Sequence, residues 1–239
     1  MLDWDATLAF RHHLWRYGFG VAEAMDTAQR GMGLDYPTTR ELIRRSAAEA
    51  KAVGGSIVAG VATDQLPAGQ PVGLDEVVKA YQEQLADVVG AGAVPVLMCS
   101  RHLAAAARDA EDYLSAYRAV LEQAPGPVLL HWLGDAFDPA LRGYWGAEDL
   151  DVATGTVLAL LREHADRIDG IKMSLLDAGR EEDLRRNLPP GVRMYTGDDF
   201  HYPELIRGDE THHSDALLGI FAAIAPVAGP ALAALDEGT

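Results

Sequence analysis

Apolar and polar positions along the chain alternate between two periods. Compact apolar runs such as "SIVAGV", "AVPVLMC" and "PVLLHWL" are typical of buried β-strands. Between them lie longer stretches with apolar residues three or four positions apart, which is the spacing of one helix face. The clearest of these is "GLDEVVKAYQEQLADVVGAG". Its predicted apolar stripe consists of Leu74, Val77, Val78, Tyr81, Leu85, Val88 and Val89.

Helix boundaries are marked by local signals. A first helix is predicted in "DWDATLAFRHHLWRYG", with Asp3 as the N-cap and Gly18 or Gly20 as the stop. The next, "YPTTRELIRRSAAEAKAVGG", carries Pro37 near its first turn. Further strands are predicted at "GVAEAM", "IDGIKMSLL" and "VRMYTG", and a last one near "DALLGIF". Helices and strands therefore alternate along the chain.

This alternation favours a single domain over residues 1–239, built on a parallel sheet that is covered by helices. An open doubly wound sheet and a closed (β/α)8 barrel both fit. The glycine-rich phosphate loop of the open sheet is weakly represented here. Polar residues at the ends of many strands favour the barrel, whose chemistry lies on that rim. About seven strands can be recognised where a barrel needs eight, so the missing strand would be the first.

The segment "GIKMSLLD" places a lysine within a predicted strand. With a period of two, Ile171, Met173 and Leu175 share one face, and Lys172 and Ser174 share the other. In a barrel the apolar set would meet the helices, so the lysine would point inward and lose water. Desolvation favours the neutral amine, which attacks carbonyl carbon and forms a Schiff base. The alternative is a buried lysine that pairs with a neighbouring aspartate for structural reasons only.

Composition and charge narrow the range of binding partners and cellular locations that the sequence predicts. The formal net charge of -16 argues against binding nucleic acid or anionic lipid. Cys99 is the only cysteine, and "MLDWDATLAF" lacks the pattern of a secretory signal, so a cytoplasmic location is expected. The uncharged segment 216–235 is long enough to span a bilayer. Its prolines and glycines favour a strand, a turn and an amphipathic helix instead.

The run "GIKMS", followed by "YTGDD", resembles the dihydrodipicolinate synthase and N-acetylneuraminate lyase superfamily. More closely, "WDATLAF", "GVAEAMDTAQRGMGLD", "HWLGDAFDPAL" and "YTGDDFHYPELI" are similar to a dihydrodipicolinate synthase-like family of unknown function. The resemblance implies a (β/α)8 barrel, an imine at Lys172 that needs no cofactor, a small-molecule carbonyl substrate and a homo-oligomer. It also implies a first strand before "LDWDATLAF" and a helical extension after "LDEGT". The sequence is expected to lack both, so the domain is expected to be incomplete at both ends.

The chain departs from the characterised enzymes at several positions of the implied site. His131, in "LLHWLGD", stands where those enzymes carry a proton-relaying tyrosine. The loop "GDAFDPAL" has no arginine for a substrate carboxylate, and Arg101 is a candidate replacement. The paired threonine motif matches "DTAQ", in which Asp26 and Thr27 are the candidate substrate-binding residues. A pyruvate-type substrate is therefore in question even where imine chemistry holds.

The predicted function is a class I aldolase or lyase that acts on a small 2-oxo acid or aldehyde. Lys172 forms the imine, and His131 is the general acid and base, or alternatively an interior hydrogen-bonding residue. Substrate binding is expected at Ser174 and at the "GDD" turn. In that turn, Gly197, Asp198 and Asp199 position substrate or the lysine, or else cap the next helix.

Two alternatives remain. The first is a divalent-metal-dependent lyase or isomerase, whose ligands would come from six polar residues in the predicted loops and strand ends. These are Glu23, Asp26, His131, Asp135, Asp198 and His201. No tight ligand-spacing motif supports this set. The second alternative is an inactive barrel fragment with open sheet edges.

Overall fold

A computed structural model describes residues 2–25, 30 and 33–238. The described helices are α1 Trp4–Arg16, α2 Tyr36–Val53, α3 Leu74–Ala91, α4 Arg101–Ala106, α5 Ala110–Leu121, α6 Leu150–Glu163, α7 Ala178–Arg186, α8 Tyr202–Arg207 and α9 Phe221–Asp236. The strands are β1 Val21–Glu23, β2 Ile57–Val61, β3 Val94–Met98, β4 Val128–Leu133, β5 Ile168–Ser174, β6 Arg193–Thr196 and β7 Asp215–Ala216. Helix and strand alternate almost throughout, as the periodicity predicts.

Local signals begin and end the helices as expected. The Asp3 carboxylate accepts a hydrogen bond from the Ala6 N–H at the start of α1. Asp35 does the same for the Thr38 N–H at the start of α2, where Pro37 occupies the first turn. A side-chain acceptor at this position satisfies a backbone donor that has no partner within the helix. Gly54 ends α2 in a left-handed conformation that glycine adopts without strain.

All seven strands are parallel, and their order in the sheet follows their order in the chain. A doubly wound sheet would reverse its strand order at a switch point, so this order belongs to the barrel class. In the described part of the chain, β1 and β7 are the two edges of the sheet. Residues of both edge strands line one cavity on the inner face, so the sheet is curled.

The curled sheet has two apolar layers. The larger lies between the sheet and the helices and includes Val21, Val77, Leu130, Ile171 and Met173. A smaller cluster lies on the inner face and includes Val96, Met98, Leu129 and Tyr195. Helices thus cover the outer face of the sheet, and its inner face carries the smaller apolar cluster. Because apolar residues are needed on both faces, the strands read as nearly continuous apolar runs.

The apolar segment 216–235 resolves into the end of β7, a short connection and most of α9. Pro226 and Pro230 lie inside α9, and the helix is kinked at Ile224. In the described part of the chain, no helix is long and apolar enough to cross a membrane. The helix interpretation of this segment is confirmed, whereas the strand is shorter than predicted, since only Ala216 of the segment belongs to β7.

Candidate active site

A cavity of about 770 Å³ occupies the concave face of the sheet. It extends from the strand beginnings, at Val94, Asp169 and Arg193, to the strand ends, at Leu133 and Ser174. In parallel β/α folds the carboxyl ends of the strands carry the chemistry, because the loops that follow them converge there. The polar residues at this end of the cavity are therefore the candidates for a reaction.

Strand β5 distributes its side chains between the two layers. Ile171 and Met173 are buried in the helix-facing layer, and Leu175 packs against that layer. Lys172 and Ser174 line the cavity. The predicted orientation of this strand is confirmed. Lys172 is half-buried, whereas Ser174 is buried.

His131 on the neighbouring strand β4 lies level with Lys172 in the strand register. Its Nε2 is 3.0 Å from the Ser174 Oγ, and the side chain is buried. Burial holds the pKa of His131 well below its usual value near 6.5, and the nearby Lys172 charge lowers the pKa further. The imidazole is therefore neutral at pH 7, and it can accept a proton inside the cavity. Within the described residues, its Nδ1 has no hydrogen-bond partner.

Gly197, which follows β6, faces the lysine at close range. A Cβ at this position would overlap the Ser174 Oγ and lie 2.6 Å from the Lys172 Cε. It would also lie 2.8 Å from the Met173 carbonyl oxygen, a backbone atom that cannot turn away. Glycine is therefore required here for Lys172 and Ser174 to keep their present places.

The two aspartates after Gly197 have different surroundings. Asp198 is buried and accepts hydrogen bonds from the Phe200 and His201 N–H groups, and its Oδ2 is 2.9 Å from the His201 Nδ1. Burial raises the pKa of Asp198, but hydrogen bonds from His201 and from the backbone outweigh burial and lower it. Asp198 thus shapes the turn before α8. Asp199 is exposed and lines the cavity.

The other predicted substrate-binding residues are not brought to the lysine in the described part of the chain. The Arg101 guanidinium donates to the buried carboxylate of Asp138, and Arg101 is absent from the described cavity lining. Asp26 and Thr27 lie outside the described residues. Sequence alone could not distinguish an arginine that binds substrate from one that fixes a loop.

Among the described residues that the metal hypothesis would use, Asp198 and His201 contact each other, whereas Glu23 and Asp135 lie beside arginines. Glu23 faces the helices, where it accepts from Arg11 in α1 and from the Ser46 hydroxyl in α2. Asp135 lies near Arg142, with 3.4 Å between Oδ2 and Nε. Over residues 2–25, 30 and 33–238, no group of three His, Cys, Asp or Glu side chains is placed to hold a metal ion. The structure thus adds no support to that hypothesis.

A buried carboxylate next to the "GDD" turn was not predicted from the sequence. Glu181 in α7 is 1% exposed, and its Oε1 has no hydrogen-bond partner within the described structure. Burial raises the pKa of Glu181 to about 7, and the charge of Asp198 also raises it, against hydrogen bonds from Ser214 and Thr196. In the sequence, Glu181 lies within "REEDLRRNL", which has the composition of a solvated helix.

We expect Glu181→Gln to flatten the dependence of stability on pH. The folded-state pKa of about 7 exceeds the usual value of 4.5. The protonated form therefore stabilises the fold below pH 4.5, and this contribution is lost as pH rises through 7. Between pH 5 and pH 8, the free energy of unfolding should fall by up to about 3 kcal/mol more in the wild type than in the variant. Urea unfolding at both pH values measures the difference.

The matched control is Glu182→Gln, which changes the half-buried neighbouring residue that accepts a hydrogen bond from Arg186. Equal slopes for wild type and Glu181→Gln would contradict the assignment.

Fold and cavity together define an α/β chain whose described strands form a curled, parallel half-barrel with a lysine on its inner face. The chain belongs to the family described as "Protein of unknown function (DUF993)", which matches residues 1–239. No match was found among the curated proteins.

Solved structures of three enzymes are similar in fold. A dihydrodipicolinate synthase from Bacillus anthracis gives a TM-score of 0.72 at 16% identity, over 99% of this chain and 70% of that one. The chloride-inhibited dihydrodipicolinate synthase from Acinetobacter baumannii, complexed with pyruvate, gives a TM-score of 0.72 at 18% identity, over 99% of this chain and 70% of that one. A 2-keto 3-deoxygluconate aldolase from Picrophilus torridus gives a TM-score of 0.64 at 16% identity, over 92% of this chain and 69% of that one. These similarities establish the fold, and the function is argued from the site.

Proposed function

We propose that this protein is a lyase of the class I aldolase type, with Lys172 as the imine-forming residue. The observation that carries the proposal is the arrangement on the inner face of β4 and β5. There, a half-buried lysine and a hydrogen-bonded pair of histidine and serine line one cavity. The sequence resemblance to Schiff-base enzymes and the fold shared with an aldolase and two synthases also support it.

In the proposed reaction, the Lys172 Nζ attacks the carbonyl carbon of the substrate. The carbonyl oxygen takes both protons of the amine and leaves as water, and one further proton from solvent converts the imine into its protonated form. This cation withdraws electrons from the neighbouring carbon, so that a proton or a carbon substituent on it can depart and leave its electron pair behind as an enamine. Addition of a proton or of a second carbonyl carbon, followed by hydrolysis, regenerates the amine.

His131 is proposed to move protons in this sequence. It is neutral at pH 7 because of its lowered pKa, so it can accept a proton from the substrate or from the attacking amine. The Ser174 hydroxyl bonds to its Nε2 and extends towards the side of the cavity where Gly197 and the lysine Cε meet. Ser174 thus offers a hydroxyl bridge between the imidazole and the reacting atoms.

Reductive trapping tests the proposal. The full chain is incubated with a panel of small aldehydes, ketones and 2-oxo acids, and cyanoborohydride reduces any imine to a stable secondary amine. Peptide mass spectrometry then locates the adduct. The sequence contains three lysines, and the other two, Lys51 and Lys79, are exposed on α2 and α3 and serve as internal controls. Selective modification of Lys172 is expected. Equal modification of all three, or of the two exposed lysines only, would refute the proposal.

A further inference from the structure

The cavity walls carry basic side chains that are already committed to carboxylates of the protein. Besides Lys172, the basic residues of the described lining are Arg11 and Arg193. Arg11 donates through Nε and Nη2 to the two oxygens of Glu23, at 2.9 and 2.8 Å. Glu23 is 1% exposed, so a substrate carboxylate that displaced it would strand a buried negative charge.

Arg193 is also paired with carboxylates, and it lies nearer to the strand beginnings than the lysine does. Its Nη2 donates to both oxygens of Asp169, at 3.0 and 2.8 Å, and its Nη1 donates to Asp215 at 3.2 Å. In the strand register, Arg193 pairs with Gly170, whereas Lys172 pairs with Tyr195. Arg193 therefore lies two residues, roughly 7 Å, towards the strand beginnings from the level of Lys172. It is badly placed for a carboxylate attached to a carbonyl at the lysine.

The arginines on the rim are also engaged. Arg101 is paired with Asp138, and Arg142 lies 3.4 Å from Asp135. Asp199 adds a carboxylate to the cavity lining beyond Gly197. Together with the net charge of -16, this carboxylate makes the entrance unfavourable for an anion.

The polar groups near the lysine instead suit a hydroxyl group. Ser174 Oγ lines the cavity beside the lysine side chain and shares a hydrogen bond with the His131 ring. The direction of this hydrogen bond depends on the histidine tautomer, so the serine hydroxyl offers a bound molecule either a proton or a lone pair. A substrate hydroxyl both donates and accepts and therefore suits either arrangement, whereas a carboxylate only accepts and suits one of them.

We propose, building on the imine function above, that the carbonyl compound bound at Lys172 is an uncharged hydroxy-aldehyde or hydroxy-ketone and not a 2-oxo acid. The reacting ketone or aldehyde carries a hydroxyl on the carbon next to its carbonyl, where a 2-oxo acid carries its carboxylate. Condensation with the Lys172 amine releases water, and uptake of one proton from solvent leaves a single positive charge on the iminium nitrogen.

Hydroxyacetone and pyruvate form the matched pair that tests this inference. They share a three-carbon ketone and differ in a hydroxymethyl group against a carboxylate. Each is titrated against the full chain with cyanoborohydride, and the modification of Lys172 is divided by that of free Nα-acetyl-lysine to remove differences in intrinsic reactivity. Hydroxyacetone should reach half-maximal modification at a concentration at least about tenfold lower than pyruvate does, because the carboxylate meets like charges. Asp199→Asn should narrow the gap by improving the modification by pyruvate.

Preferred modification by pyruvate, or equal modification by both ketones, would overturn the inference and leave the imine function intact. A second outcome is that no carbonyl compound in the panel, including both ketones, modifies Lys172 in a sample that circular dichroism shows to be folded. That outcome would overturn the imine function and this inference with it. The failure of one is thereby distinguished from the failure of the other.

Discussion

Lys172→Met is expected to reduce the exchange of the α-protons of a bound carbonyl compound to the uncatalysed background. The protonated imine is what acidifies these protons, and methionine keeps the length of the side chain while removing the amine. A loss on the order of 10⁵-fold is expected, because this is the scale on which an oriented nucleophile exceeds one free in solution. Deuterium uptake from D₂O, followed by NMR on the compound that modifies the wild type best, measures the loss.

Two controls accompany this variant. Lys79→Met removes an exposed lysine from α3 and should exchange at the wild-type rate. Thermal unfolding of Lys172→Met should stay close to that of the wild type, since Lys172 is half-buried and methionine suits Tyr195, its neighbour in the strand register on the inner face. A folded Lys172→Met protein that retains wild-type exchange would show that proton abstraction proceeds without the imine.

His131→Gln is expected to slow the same exchange by about 10²- to 10⁴-fold, the usual contribution of a positioned general base. Glutamine can still hydrogen-bond to the Ser174 hydroxyl, but its amide does not take up a proton at neutral pH. Trapping of the imine on Lys172 at saturating carbonyl concentration should persist. Slower proton exchange with unchanged imine trapping would indicate a loss of proton transfer. A fall in both would indicate that Lys172 has lost its position.

The pH profile of the wild type gives a second test of His131. Burial and the Lys172 charge hold the pKa of His131 well below 6.5, so the basic form persists as pH falls from 7. Activity should therefore stay level through pH 6.5 and decline only at lower pH. His164→Gln, at the C-terminal end of α6, is the matched control on a histidine at the opposite end of the fold. A decline centred at pH 6.5 would mean that His131 titrates as an ordinary solvated histidine.

Much of the fold could be predicted because its periodicities are local. The alternation through Ile171, Lys172, Met173 and Ser174 predicts which side chains meet the helices, since successive residues of a strand point to opposite faces. The same argument locates His131, a polar residue within the apolar run of β4. A polar side chain on a strand that is covered on both faces has to point into the interior or into a cavity.

The charged residues of the loops were not predictable in this way. Arg101 and Asp198 have the chemistry to bind substrate, yet Arg101 is paired with Asp138 and Asp198 shapes a turn. Glu181 sits in a strongly charged helix and is nevertheless buried beside Thr196 and Ser214. Each outcome depends on a partner or neighbour that another segment supplies, and that segment cannot be recognised from the adjacent sequence.

The sequence by itself determined the alternation of helices and strands and the inward orientation of Lys172 and Ser174, and it favoured a barrel over an open sheet. These follow from the spacing of consecutive residues and from the burial of apolar side chains. Only the tertiary structure decided that His131 and Ser174 form a pair, that Gly197 closes on the lysine, and that the arginines of the cavity are already neutralised. Electrostatic and hydrogen-bonding partners are set by distances of a few ångströms between residues far apart in the chain, and folding alone brings those residues together.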